Sequence, residues 1–181
     1  MREIEVKVRL DDAKAIAAKL AQMGASLSPK TKQHDVVYCL PGSKTAMPGV
    51  NWLRLRTEND SKTTFTLKRS VTRELDSIEH ETIVGNEQEM TKILKYMGYE
   101  VYSDLTKIRR KTKLGDIEIC LDEVPGLGTF MEAEKLCAED SNYQTVADEL
   151  WELCNKLGVT KQDEVTSGYD VLMRQSQGLD S

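Results

Sequence analysis

The 181-residue sequence is poor in the residue types from which common catalytic and metal centres are built. It contains only two histidines, His34 and His80, so a histidine-based metal site or catalytic triad is not expected. Its four cysteines lie far apart and form no Cys-x-x-Cys pair. A disulfide framework or a structural zinc site is therefore not expected, and the cysteine usage is typical of the reducing cytoplasm.

Long apolar segments and excess positive charge are also missing. No run of about 18 apolar residues occurs, so no membrane span is expected. No signal-peptide pattern precedes the first predicted strand, which favours a cytoplasmic location. The net charge of -5 disfavours general nucleic-acid binding, which needs a basic face. Neither a membrane nor a nucleic acid is therefore expected as a partner, and a homodimer is left open.

Short alternating segments with short connections dominate the chain and predict an antiparallel sheet. The predicted strands lie near residues 2–9, 34–40, 51–58, 63–70, 77–85, 100–110, 114–122 and 128–136. Four amphipathic segments predict helices: one after Asp12, one after Asn86, one from near Ser141 to Gly158, and one from near Ser167. The polar segment 41–51 is expected to be a mobile flap, residues 1–175 a single domain, and residues 176–181 a disordered tail.

Charged and apolar side chains alternate strictly along several of these strands. In the first strand, Glu3, Glu5 and Lys7 share one face, and the intervening aliphatic residues share the other. Arg54 and Arg56 share a face in the third strand in the same way, as do Glu132 and Glu134 in the last. A solvated charged face on an ordinary α+β domain is one interpretation.

The alternative interpretation places the charged faces inside a closed barrel, because the amphipathic helices can cover the apolar faces from outside. The predicted fold class is then α+β, an eight-stranded antiparallel β-barrel with helices packed outside, and its interior is wide enough for one small ligand. The residues whose parity places them inside are Glu3, Glu5, Lys7, Arg54, Arg56, Lys68, Glu79, Glu81, Lys107, Arg109, Asp122, Glu132 and Glu134.

The chemistry of this set favours a polyanion bound together with divalent cations. Clustered carboxylates suit hard cations such as Mg²⁺ or Mn²⁺, which prefer oxygen ligands. Paired arginines suit bidentate contacts to phosphate oxygens, and lysines act as point charges. The sequence therefore indicates phosphate chemistry without a glycine-rich nucleotide-binding loop.

The segment Glu3-Ile4-Glu5-Val6-Lys7 resembles the Glu-x-Glu-x-Lys signature that opens the CYTH, or triphosphate tunnel metalloenzyme, superfamily. The remaining motifs follow in family order: Arg54-x-Arg56, Lys68, Glu79 and Glu81, Lys107-x-Arg109, Asp122, and Glu132-x-Glu134. The resemblance covers residues 1–136 and, more loosely, the C-terminal helices. It implies an eight-stranded antiparallel tunnel that binds a triphosphate with Mg²⁺ or Mn²⁺.

The resemblance also implies a role for each candidate residue. The triphosphate would be held by Lys7, Arg54, Arg56, Lys68, Lys107 and Arg109. Metal ions would be bound by Glu3, Glu5, Glu79, Asp122, Glu132 and Glu134. Catalysis would fall to Lys7, Arg56, Lys107 and Glu81, with Glu79 or Glu81 orienting a metal-bound water and the general base unassigned.

Within the superfamily, segment 121–132 is similar to the class IV adenylyl cyclase branch, which implies conversion of ATP to cyclic AMP and pyrophosphate. Lys68 is followed by Arg69 and Ser70, where that branch often has Gly-Pro. Hydrolysis of inorganic triphosphate or thiamine triphosphate is therefore an alternative activity. A nucleotide- or polyphosphate-binding module without catalysis is an alternative of another class.

Overall fold

The computed structural model describes residues 1–43 and 48–179. Within them the chain forms eight strands and four α-helices. The strands are Arg2–Leu10 (β1), Thr31–Cys39 (β2), Asn51–Glu58 (β3), Lys62–Ser70 (β4), Asp76–Val84 (β5), Glu100–Leu114 (β6), Ile117–Val124 (β7) and Gly128–Cys137 (β8). The helices are Ala13–Gln22 (α1), Glu87–Tyr96 (α2), Tyr143–Leu157 (α3) and Tyr169–Ser176 (α4), with a short 3₁₀ turn at Lys161–Asp163.

The strands close into a barrel in the order β1-β5-β4-β3-β2-β6-β7-β8, with every neighbouring pair antiparallel. This confirms the predicted eight-stranded antiparallel barrel. Closure removes sheet edges and gives each strand one inner and one outer face. The alternation seen in the sequence therefore becomes a division between the inside and the outside of the barrel.

Local capping signals explain where three of the helices begin. The side chains of Asp12, Asn86 and Asn142 each accept a hydrogen bond from a backbone N–H in the first turn of the following helix. Helix α3 ends at Gly158, whose φ of 85° lies in the left-handed region that favours glycine. None of the helices among the described residues is long and apolar enough to cross a membrane.

Three strand boundaries differ from the sequence expectation by three residues or more. β2 begins at Thr31 rather than near residue 34, β6 extends to Leu114 rather than ending near residue 110, and β7 begins at Ile117 rather than near residue 114. The physical reason for the second difference is the two-residue turn at Gly115 and Asp116, which lets β6 and β7 pair up to Leu114. The flap expected at residues 41–51 includes residues 44–47, and the disordered tail expected at residues 176–181 includes residues 180 and 181; these six residues lie outside the described part of the chain. The expected start of that tail was wrong, because Ser176 is the last residue of α4.

The main hydrophobic core lies outside the barrel wall. Ile4, Val6 and Val8 point outward from β1 and pack with buried residues of α3 and α1, among them Leu150 and Leu20. A second cluster lies beneath α2 on the outer faces of β2 and β3. The helices therefore cover the apolar faces of the strands, which leaves the charged faces inside.

Helix α4 has a different position, because it covers one end of the barrel. Tyr169 at its start packs edge-to-face on Phe130, with ring centroids 5.1 Å apart. Val171 packs with Trp52 and Val37, which share the inner parity of β3 and β2. This end of the interior is therefore apolar and filled, and the charged part of the interior lies beyond it.

The seam between β1 and β5 is the shortest in the barrel and has extra support. Only Arg2, Glu3 and Ile4 pair with β5. The guanidinium of Arg2 donates two hydrogen bonds to the carboxylate of Asp76, at 2.6 and 2.8 Å. Further along β1, the N–H of Val165 donates to the carbonyl of Lys7 at 2.8 Å, so the segment before α4 continues the wall.

Replacing Val6 by Asp is expected to lower the free energy of unfolding by about 3 kcal/mol or more, because an unpaired charge would be buried in the outer core. The matched control is Ile83→Asp on β5, where the side chain is 71% exposed. The control should change stability by no more than about 0.5 kcal/mol. Urea unfolding checks both variants, and equal losses would contradict the assignment of the core to the outer face.

Candidate functional site

A cavity of about 380 Å³ occupies the charged part of the barrel interior. Of the residues predicted to face inward, the following line it: Glu3, Glu5, Lys7, Arg54, Arg56, Lys68, Glu79, Glu81, Lys107, Arg109, Glu132 and Glu134. Asp122 is fully buried behind this lining and is paired with Arg109. The strand parity therefore brings the predicted residues to one place, although their chemical roles stay predictions.

Carboxylates from β1 and β8 form one wall of the cavity. Carboxylate oxygens of Glu5, Glu132 and Glu134 lie within 4.8 Å of one another. Burial and the neighbouring Glu132 raise the pKa of Glu5 to about 8. Burial and Glu3 raise the pKa of Glu134 to about 8 in the same way. This wall therefore holds more negative charge than its own cations neutralise.

Two cationic side chains, Lys7 and Arg109, lie against this wall and form ion pairs with its carboxylates. The Lys7 ammonium lies 3.3 Å from both Glu5 and Glu132. Arg109 donates to Asp122 and contacts Glu132, and its Nη1 reaches Glu134 at 3.4 Å. These contacts hold the pKa of Glu132 well below its usual range despite its burial. The engaged cations therefore act first as structural partners of the acids.

Arg56 on the opposite wall is engaged in a different way. Its guanidinium donates two hydrogen bonds of 2.7 Å to Asp35 on β2. Arg56 keeps the Asp35 pKa well below its usual range, although burial acts in the opposite direction. Sequence reasoning missed Asp35, even though its parity with Val37 on β2 was a usable signal. Arg56 is thus a member of a buried pair in this structure, and its predicted role as a phosphate ligand stays a prediction.

Arg54 is the least engaged of the interior arginines. Its Nε is buried without a hydrogen-bond acceptor, and its Nη2 reaches only the hydroxyl of Thr66, at 3.4 Å. The neighbouring Lys68 contacts Glu79, whose pKa falls to about 2 because Lys68 and Arg54 outweigh the effect of its burial. Arg54 therefore presents unused donors to the cavity, where an anionic ligand could accept them.

Glu81 on β5 lies at the exposed rim of the cavity, where it accepts a hydrogen bond from the hydroxyl of Thr66. The cavity also has lining residues that were absent from the sequence-based set: Gln33, Asp35, Glu74, Glu118, Tyr169 and Asp170. Tyr169 and Asp170 come from α4, and no strand alternation could place a helix in the barrel mouth. The Tyr169 ring lies under both Lys7 and Lys107, with ammonium-to-centroid distances of 4.2 and 4.7 Å.

The acid wall fits a hard divalent cation. Glu5, Glu132 and Glu134 supply oxygen ligands close enough to share one ion. Oε1 of Glu5 is buried and makes no hydrogen bond of good geometry, and its nearest cationic partner is the Lys7 ammonium at 3.3 Å. The raised pKa values of Glu5 and Glu134 come first from burial and then from the neighbouring carboxylates, whose repulsion a bound cation would relieve.

The match to known families agrees with this geometry. A model of the CYTH domain matches residues 1–169, which is most of the chain. The chain belongs to the CYTH domain family. This confirms the resemblance seen in the motifs of residues 1–136. Members of the CYTH family of triphosphate tunnel metalloenzymes use divalent metal ions, which agrees with the acid wall described above.

Similar proteins come from several sources. A protein of Methanocaldococcus jannaschii, named as a proposed adenylate cyclase, is 29% identical over 174 residues, covering 93% of this CYTH chain and 97% of the relative. A solved Pyrococcus horikoshii structure has a TM-score of 0.80 at 26% identity, covering 93% and 97% of the two chains. A Hippeastrum protein, described as a proposed adenylyl cyclase with a dominant triphosphatase activity, has a TM-score of 0.61 at 18% identity, covering 98% and 96%.

Replacing Glu5 by Gln is expected to stabilise the metal-free protein, and the gain should increase with pH. Because the Glu5 pKa is about 8 in the folded state and near 4.5 when unfolded, the native state binds more protons between these values. The wild type therefore loses stability as pH rises through that window, and the variant escapes this loss. At pH 9 the variant should be more stable by on the order of 1 kcal/mol or more, measured by urea unfolding in a chelator.

The control is Glu123→Gln, which removes an exposed carboxylate paired with Lys30 on the surface. It separates the effect of this site from the effect of net charge. A gain for the Glu5 variant that does not change with pH, or that the control reproduces, would contradict the account of the acid wall.

Proposed function

We propose that this CYTH protein is a metal-dependent adenylyl cyclase of the class IV type, which converts ATP to cyclic AMP and pyrophosphate. The observation that carries the proposal is that one cavity contains both kinds of ligand-binding group. Arg54 has N–H donors without acceptors, and the carboxylates of Glu5, Glu132 and Glu134 lie close enough together to share a cation. A triphosphate with divalent cations supplies the missing partner to both. The name of the Methanocaldococcus relative supports the cyclase reaction.

The basic side chains have two proposed tasks in this reaction. Arg54 and Lys68 bind non-bridging phosphate oxygens directly, because Arg54 has free donors and Lys68 is half-exposed toward the cavity. Arg56 and Arg109 hold the wall in shape through their carboxylate pairs and add positive potential to the cavity. Lys7 and Lys107, held beside the Tyr169 ring, stabilise the charge that develops on the leaving pyrophosphate.

The acids would hold the cations and orient the substrate. Glu5, Glu132 and Glu134 would bind Mg²⁺ or Mn²⁺, with Glu3 adjacent through Lys68 and Asp122 acting through Arg109. A bound cation supplies neutralisation of phosphate charge and stabilisation of the leaving group. In the reaction the ribose 3′-oxygen loses its proton and bonds to the α-phosphorus, and the bond from that phosphorus to the pyrophosphate oxygen breaks.

Hydrolysis is the second candidate function, and a specific observation favours it. The Hippeastrum protein, described as having a dominant triphosphatase activity, shares this fold, so the same tunnel is compatible with cleavage of the terminal phosphate. In that reaction Glu79 or the rim residue Glu81 would orient the attacking water. The substrate would then be inorganic triphosphate or thiamine triphosphate, neither of which requires a ribose near the α-phosphorus.

Product identification separates the two reactions. ATP with Mg²⁺ or Mn²⁺ is expected to yield cyclic AMP and pyrophosphate, detected by mass spectrometry, and a chelator should abolish the reaction. ADP with orthophosphate, or faster turnover of inorganic triphosphate than of ATP, would contradict the cyclase assignment and favour the triphosphatase. Binding of ATP without any product in the presence of either metal would favour the non-catalytic binding module.

Replacing Arg54 by Ala is expected to weaken binding of a non-hydrolysable ATP analogue by about 10- to 100-fold while leaving the thermal unfolding temperature unchanged. Arg54 suits this test better than Arg56, because removing Arg56 would leave Asp35 buried without its partner. The matched control is Arg69→Ala, an exposed arginine on the same strand ladder. Calorimetry measures both affinities, and equal affinity of the Arg54 variant and the wild type would contradict the phosphate-binding role.

A further inference from the structure

A buried amide on β2 lines the cavity and has no place in the chemistry proposed above. Gln33 lies on the inner face of β2 and is only 4% exposed. The same face of β2 carries Val37, which packs against Val171 of α4 at the filled end of the barrel. Gln33 is four residues from Val37, roughly 13 Å along the strand, so it lies toward the end of the cavity opposite α4.

The contact with Glu58 fixes the orientation of this amide. Nε2 of Gln33 donates a hydrogen bond of 2.7 Å to Oε1 of Glu58, its cross-strand neighbour on β3. A carboxylate only accepts hydrogen bonds, so this contact assigns the NH₂ group to the side of Glu58 and the carbonyl oxygen to the other side. Apart from this bond to Glu58, Gln33 therefore offers the cavity an acceptor.

The carbonyl oxygen of Gln33 has no hydrogen-bond donor. Its Oε1 is buried and makes no hydrogen bond within the described part of the chain. Two cations at neighbouring inner positions have other partners: Lys107, opposite Gln33 on β6, lies 3.3 Å from Asp122, and Arg56 donates to Asp35. A buried acceptor without a donor is costly, so a ligand that donates a hydrogen bond to Oε1 would be stabilised here.

The chemistry of an amide oxygen excludes the phosphate part of a nucleotide as that ligand. Phosphate oxygens are acceptors with negative charge, so they cannot pair with Oε1 of Gln33. The N–H and O–H donors of a nucleoside triphosphate belong to its base and its ribose. Arg54, the proposed phosphate ligand, lies opposite Val37, so Gln33 is four residues along β2 from the phosphate-binding position. A nucleoside attached to that triphosphate extends in one direction from it, and Gln33 lies in the direction away from the filled end.

We propose that Gln33 recognises the nucleoside of the substrate, with Oε1 accepting a hydrogen bond from an N–H of the base or an O–H of the ribose. The inference rests on the proposed function, because it takes the triphosphate to be bound by Arg54 and Lys68. Glu58 is a positioning residue that holds the amide in its accepting orientation. The site then favours a nucleoside triphosphate over inorganic triphosphate, because a ligand without the donor leaves Oε1 unpaired.

The test compares two ligands by calorimetry with Mg²⁺ present throughout. Gln33→Met keeps an unbranched side chain of similar length and removes the acceptor. The variant should bind the α,β-methylene analogue of ATP, which the protein cannot cleave at that bond, about 10-fold more weakly than wild type. Its affinity for inorganic triphosphate should be unchanged. The matched control is Gln144→Met, an exposed amide on α3 that also donates 2.7 Å to a carboxylate, and it should change neither affinity.

Three further analogues identify the donor group. They are the α,β-methylene forms of 2′-deoxy-ATP, of 3′-deoxy-ATP and of purine riboside triphosphate, which lacks the 6-amino group. The effect of Gln33→Met should vanish with the analogue that lacks the group bound by Gln33. An effect of equal size with all three analogues would overturn the inference.

A second variant keeps the inference falsifiable if Gln33→Met does not fold. Glu58→Gln frees the Gln33 amide to adopt either orientation, so the ratio of nucleotide-analogue affinity to inorganic-triphosphate affinity should fall. The lost negative charge acts on both ligands alike and cancels in that ratio. An unchanged ratio in this variant would overturn the inference.

The failure of this inference can be distinguished from the failure of the proposed reaction. Equal losses of affinity for the nucleotide analogue and for inorganic triphosphate in Gln33→Met, as a metal-binding or wall-supporting role would give, would overturn nucleoside recognition by Gln33. Unchanged affinity for both ligands would overturn it as well. Neither result bears on the product assay, whereas ADP and orthophosphate in that assay would contradict the cyclase and leave nucleoside recognition by Gln33 standing.

Discussion

Charge enclosed within a closed barrel is the constraint on which the rest of this structure depends. Closure gives each strand an inner face, and here the inner face carries carboxylates, guanidinium and ammonium groups. Such groups are costly to remove from water unless they are paired. The pairing of these groups is uneven. Arg109 contacts three carboxylates and Arg56 pairs with Asp35, whereas the buried Nε of Arg54 has no hydrogen-bond acceptor.

This uneven pairing divides the interior side chains into those that support the barrel wall and those that are available to bind a ligand. The groups that satisfy one another hold the barrel wall, and the apolar packing of α1, α2 and α3 on the outer faces holds it from the other side. Helix α4 fills one end, so the charged cavity lies between a packed end and the other mouth. The incompletely paired groups lie in that cavity, where cations and an anionic ligand would each find partners.

Much of this arrangement could be predicted from strand parity, and the failures have physical causes. Alternation in β1, β3 and β8 placed Glu5, Arg54 and Glu132 inside, because closure admits only two faces. Asp35 lies within the strand predicted at residues 34–40, but it was missed because no second charged residue shares its face on that strand. The pairs themselves depend on the register around the barrel, because β6 and β7 align Arg109 with Asp122. Strand parity could not predict the position of Tyr169, because that position depends on how helix α4 packs on the barrel.

The most direct measurement of the central claim is a crystal structure with Mn²⁺ and a non-hydrolysable triphosphate analogue, in which anomalous scattering locates the metal. The account predicts Mn²⁺ bound by the carboxylates of Glu5, Glu132 and Glu134, and phosphate oxygens within hydrogen-bond distance of Arg54 inside the barrel. Metal and triphosphate found only on the outer surface, with Glu5 and Arg54 contacting neither, would contradict it.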